Sequence, residues 1–184
     1  MTSLDQRTVL AVDDGSCGPL LRIADDRLPA GAAYGRHAHR AVDVVAVVLT
    51  GSLHHGWGDG ALVSTGDVAV LRAGTGLDHD ETAGDDGVRV LQCYLRSAAP
   101  GAPPSHEVRP AASGWVDLRR SDARLWLARA AAGETVTLPT GLLLVAGEAS
   151  VVVHPDPPSA FEADGTATLV VWQLDVARPS WADD

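Results

Sequence analysis

Glycine and proline break this chain at such short intervals that its apolar stretches are too brief to form long helices. The 19 glycines and 11 prolines separate runs rich in valine and leucine at 42–49, 61–63, 68–71, 88–95, 125–128, 135–138, 142–145, 151–154 and 168–176. Runs of this length and β-branched content make strands. Gly58-Asp59-Gly60 and Thr65-Gly66-Asp67 supply the positive-φ residues of tight hairpins, and Gly51-Ser52 is expected to end the first long run. Residues 121–132, where alanine and arginine cluster, fit a strand and a helix equally. The expected fold class is all-β.

Charge narrows the partners. With 24 acids against 14 bases the formal charge is −10. So acidic a surface repels phosphate backbones and anionic headgroups, so neither nucleic acid nor a membrane is an expected partner. Every base is arginine, and without lysine there is no side-chain amine for Schiff-base chemistry. Cys17 and Cys93 stand at no metal-finger spacing and read as small apolar residues. The start, Met1 to Arg7, has an early acid and no apolar core, and no later stretch approaches the ~18 apolar residues of a membrane span. A cytoplasmic protein is expected. The segment 97–110, rich in proline and alanine, reads as a stiff exposed connector. It separates residues 1–107, which hold six of the seven histidines, from 108–184. Chemistry is therefore expected in the first part.

His37-Ala38-His39 puts two imidazoles at i and i+2, on one face of an extended strand. The pair suits a metal clamp, and equally an exposed polar strand face. His79-Asp80-Glu81 repeats the spacing, and it too has a plain reading, a surface turn with an acidic rim. Should both strands face one point, three imidazoles and a carboxylate would suit a divalent first-row metal with open positions for water or substrate.

Gly31, followed by five residues and then His37-Ala38-His39, resembles the first motif of the cupins. The longer stretch from Tyr34 to Tyr94 resembles the N-terminal domain of the pirin family, including its bacterial quercetinase-like members. The matching pieces are His37-Ala38-His39-Arg40, the run from Val47 to His55, Gly66-Asp67-Val68, the stretch from Ala73 to Glu81, and Leu91-Gln92. The resemblance implies a cupin double-stranded β-helix, as a bicupin with a shortened second barrel: 1–107 metal-binding, 108–184 a metal-free reduced domain. It also implies the ligands His37, His39, His79 and Glu81, the carboxylate coming from the second motif rather than the first, where Asp43 stands. Asp43 corresponds to an acid the family also carries and is read either as supporting the ligands from behind or as purely structural. His55 matches a family histidine near the site, Gln92 is placed to orient a ligand or water, and Tyr34 and Trp57 are pocket residues. His54 falls on the other strand face, and His106 and His154 have no neighbour at ligand spacing. In the shortened part, 115–181, Trp115, Trp126 and Trp172 are expected in the core.

For function, the resemblance implies one divalent transition metal, iron first, with manganese, nickel, cobalt, copper and zinc also accepted by such a set. It implies a dioxygenase acting on a quercetin-type flavonol or another enol or polyphenol. Members bind the flavonol through its 3-hydroxyl and neighbouring carbonyl, and the glutamate matching Glu81 takes the hydroxyl proton, so Glu81 is both ligand and catalytic base. The partner is then a small molecule, and the chain a monomer or weak homo-oligomer. The alternative is a metal- or redox-sensing regulatory protein acting through protein contacts. Trp57-Gly58 replaces the family's acidic, serine-containing turn, and Val47 stands where an aromatic is common. Fold and metal are thus expected to carry over further than substrate.

Overall fold

The structure is a computed structural model and describes residues 4–176. Among them every regular element is a strand, and the chain divides into two compact units. The undecided stretch at 121–132 is strand. Its residues alternate between buried and more exposed along Ala123–Ala130, the period of a pleat rather than of a helical turn.

The first unit holds β1 (Asp5–Ala11), β2 (Leu20–Leu28), β3 (His37–His39), β4 (Val42–Gly56), β5 (Ala61–Ser64), β6 (Val68–Arg72), β7 (Leu77–Arg96) and β8 (Ser105–Arg109). They join in the order β1-β2-β7-β4-β6-β8, with β3 on β7 and β5 on β4. Gly51 does not end its strand as expected. β4 runs on to Gly56, and Gly51, at φ 74°, sits at a register shift against β7. A Cβ there would lie 2.0 Å from the Gly87 carbonyl oxygen, so glycine lets two backbones touch where the strand bends. The connector expected at 97–110 is in part sheet. β8 pairs with β6, His106 opposite Leu71, because an edge strand tolerates prolines just before it.

Two faces of this sheet are buried for different reasons. Leu28, Ala46, Val48, Leu53, Val63, Ala69, Ala83 and Val90 pack into one apolar cluster. Asp25 on β2 receives a two-pronged bond from Arg89 on β7, Nε to Oδ1 at 2.8 Å and a terminal nitrogen to Oδ2 at 2.9 Å, both side chains buried.

The second unit holds β9 (Gly114–Val116), β10 (Ala123–Ala130), β11 (Thr135–Thr137), β12 (Leu142–Ala146), β13 (Val151–His154), β14 (Ala160–Glu162) and β15 (Ala167–Leu174). Five form a sheet, β13-β12-β15-β10-β9, and β11 pairs with β14. Leu143, Leu169 and Val171 lead its core, and Trp172 is fully buried. Trp115 is not a core residue as expected: it lies on the short edge strand β9, 43% exposed, with the Arg124 guanidinium 3.9 Å above its ring. Trp181 lies outside the described residues. No helix of the described chain is long and apolar enough to cross a membrane.

Candidate metal centre

Strand periodicity builds the site. Along β7, Leu77, His79, Glu81 and Ala83 are buried while the residues between them are more open, so His79 and Glu81 share one face. β3 lies antiparallel on that strand with His37 directly opposite His79 and His39 opposite Leu77. The rings of His37, His39 and His79 therefore cluster, with centroids 4.4 to 5.0 Å apart. One nitrogen from each comes within 4.8 Å of the others.

Glu81 sits one pleat further along, about 7 Å by strand geometry, opposite His55 on β4. Its Oε1 lies 2.7 Å from His55 Nε2, and Gln92 Nε2 donates to the carboxylate at 3.2 and 3.3 Å. Glu81 thus groups with His55 and His79, whereas His37 and His39 group with His79 alone; His79 is common to both sets. Burial works to raise the pKa of Glu81. The hydrogen bond from His55 and the charges of His55 and His79 outweigh it, so the carboxyl is held below its ordinary value and is ionised near neutrality.

The remaining expected residues surround these sets. The Tyr34 hydroxyl donates to Asp26 Oδ2 at 2.8 Å, and its ring stands 6.4 Å from that of His37. Trp57 and Tyr94 pack on one apolar cluster with Val44, Leu71, Ala73 and Leu77, and the Tyr94 ring is 6.1 Å from His39. Burial and the Glu81 charge push the Tyr94 hydroxyl up to about 12, so it stays protonated. Asp43 is buried on β4, opposite Arg72 on β6 and Leu95 on β7. His54 is exposed on the opposite face to His55.

Two participants were not foreseen. His106 on β8 brings its ring to 4.7 Å from His55. Asp26 on β2 is buried and takes bonds from Tyr34 and Gln6. The one signal for His106 was parity: Val108, two residues on, packs on the apolar cluster of the same sheet.

Whether these residues suit a metal is answered by His79. It is 1% exposed, and neither ring nitrogen has a hydrogen-bond partner. Buried polar groups are almost always paired, so an imidazole left bare beside two others suits a metal ligand. His37 Nδ1 faces the Gly35 carbonyl at 2.8 Å. A carbonyl only accepts, so the proton of the neutral ring sits on Nδ1 and the Nε2 lone pair is left for an ion.

Burial, with the neighbouring imidazoles, pushes His79 down to about 4 against the raising effect of Glu81, and burial likewise pushes His106 down to about 4. Between about pH 6.5 and 4 the unfolded chain binds protons at both positions that the folded chain refuses. The metal-free protein should therefore lose stability as pH falls through this window, by about 1.4 kcal/mol per unit for a fully refused proton. Glu81 acts in the same direction at lower pH, while Asp26, raised chiefly by burial, acts oppositely. Urea midpoints at pH 7, 6 and 5 measure this; a flat profile would contradict the buried neutral imidazoles.

An all-β chain of antiparallel sheets that lodges a histidine cluster between two strands has the fold class of the cupins. The family model described as Pirin matches residues 9–95, just under half of the chain. The quercetin 2,3-dioxygenase of Escherichia coli K12 is 29% identical over 91 residues, 47% of this chain and 39% of that protein. A pirin-like protein of Caulobacter vibrioides is 28% identical over 137 residues, 64% of this chain and 59% of its own length. The chain thus spans less than two thirds of the length of these curated relatives. In fold it is similar to the bacterial pirin YhhW from Escherichia coli, solved in complex with nickel(II): TM-score 0.73, 20% identity, 94% of this chain and 92% of that one. A quercetin 2,3-dioxygenase from Acinetobacter baumannii gives TM-score 0.66 at 17% identity, covering 97% and 88%.

Proposed function

We propose that this chain is a metal-dependent pirin-type dioxygenase acting on a flavonol or another enol or polyphenol. The observation that carries the reading is the bare, buried His79 beside His37 and His39. The name of the Escherichia coli relative supports the reaction class. In this reading His37, His39 and His79 hold one divalent transition metal, iron first, and Glu81 completes the set or stands beside it. A bound metal supplies a Lewis acid that polarises a chelating substrate and gives dioxygen access to it.

The chain's own residues do the rest. Glu81 is ionised and buried, so it can accept the proton of an acidic enol hydroxyl, and His55 and Gln92 keep its oxygens from swinging away. Tyr94 and Trp57, on the apolar cluster beside His39, offer the flat surface a planar substrate needs. The reading takes 1–107 as the metal-binding cupin domain and 108–184 as a reduced domain of a bicupin, which the placing of the histidines supports. A cytoplasmic protein with a small-molecule partner, monomeric or weakly associating, completes it.

Aerobic incubation of the iron-, nickel- or cobalt-loaded protein with quercetin is the test, read as loss of flavonol absorbance and release of carbon monoxide. Glu81→Gln should retain some metal and lose turnover by roughly 100-fold or more, the usual scale of a general base. Full activity in that variant would remove the base role. Absence of turnover with every metal, in a parent that binds them, would favour the regulatory alternative.

A further inference from the structure

We propose that His106 is a positioning residue of this centre, its flat ring bracing His55 so that His55 holds the Glu81 carboxylate in place. The consequence for metal rests on the reading above; the geometry does not.

His55 and His106 lie on β4 and β8, the two strands that flank β6. Their rings are 4.7 Å apart at the centroids and tilted by 31°, close to a stacked pair. Burial keeps His106 neutral, so no cation opposes the contact. His55 is 2% exposed; its Nε2 stands 2.7 Å from Glu81 Oε1, and neither of its buried ring nitrogens makes a well-aligned hydrogen bond. A ring held only by that close approach turns about its Cβ–Cγ bond, a broad and soft torsion. The His106 face limits that turn. His106 Nε2 is itself buried and unpaired, so no hydrogen bond of that atom accounts for the side chain being there. Should His55 turn, Glu81 would keep only the longer contacts from Gln92, at 3.2 and 3.3 Å.

Two variants of the full chain separate this from ordinary packing. His106→Ala removes the flat face, and His106→Phe restores it without a nitrogen. Long-range proton–nitrogen NMR of the imidazoles in the metal-free protein reads His55 directly, and cobalt(II) titration reads the consequence. In His106→Ala the His55 signals should shift and broaden, cobalt affinity should fall about 10-fold, as for losses behind a metal ligand, and the visible spectrum of bound cobalt should change. His106→Phe should return all three towards the parent.

Unchanged His55 signals and an unchanged cobalt spectrum in His106→Ala would overturn the proposal, as would a perturbation that His106→Phe leaves unrepaired. Should His106→Ala fail to fold, His106→Leu, which fills the volume without a flat face, takes its place. A parent that takes up no cobalt would sink the metal reading alone, since the NMR comparison still decides whether His106 braces His55.

Discussion

His79→Leu should make the metal-free protein more stable and abolish the stabilisation that metal confers on the parent. The two effects have opposite signs because they have different sources. In the metal-free protein both His79 nitrogens are buried without a partner, and each unmade bond of that kind costs about 1 to 3 kcal/mol. Leucine, close in volume, removes the cost, and the melting temperature should rise by several degrees at about 2 to 4 °C per kcal/mol for a chain of this size. The parent, with nickel or cobalt at 100 to 1,000 times the dissociation constant, should gain about 3 to 4 kcal/mol that the variant cannot. Thermal unfolding of both proteins with and without metal gives all four numbers. A variant that still gained stability from metal would show that His79 is no ligand.

The second large effect lies away from the histidines. Asp25→Ala should cost about 3 to 5 kcal/mol, because it takes from the buried Arg89 guanidinium the two-pronged charged bond it now makes at 2.8 and 2.9 Å. The double replacement Asp25→Leu with Arg89→Met should recover most of that loss, since apolar groups of similar volume often replace a buried pair at little net cost. Chemical denaturation of the parent and both variants measures the two changes. If the single and double variants unfold at the same midpoint, loss of the buried charge's bond is not the cause. Bound metal should be unchanged throughout, as neither residue belongs to the histidine sets.

Much of the centre was legible one strand at a time. His37 with His39 and His79 with Glu81 could be paired on paper because alternation along an extended strand is a local property, and β7 obeys it from Leu77 to Ala83. What the two motifs could not express is how Glu81 sorts. The register sets His37 against His79 and His55 against Glu81, so the carboxylate leans on β4 rather than joining the two histidines of β3. Trp115 misled for a related reason: hydrophobicity marks a residue as able to be buried, but only a neighbouring strand buries it, and β9 is the sheet's edge.

By itself, then, the amino-acid order determined an all-β chain, the two extended pairs of ligand-type side chains and the half of the molecule that carries them. Spacing, turn chemistry and strand period are all written within a few neighbouring residues. Only the tertiary structure decided that Gly51 bends β4 instead of ending it, that the proline-rich segment yields the edge strand β8, and that His55, Gln92 and His106 gather behind Glu81. Those outcomes depend on registers between segments far apart in the chain, where a shift of one residue would turn every side chain to the opposite face.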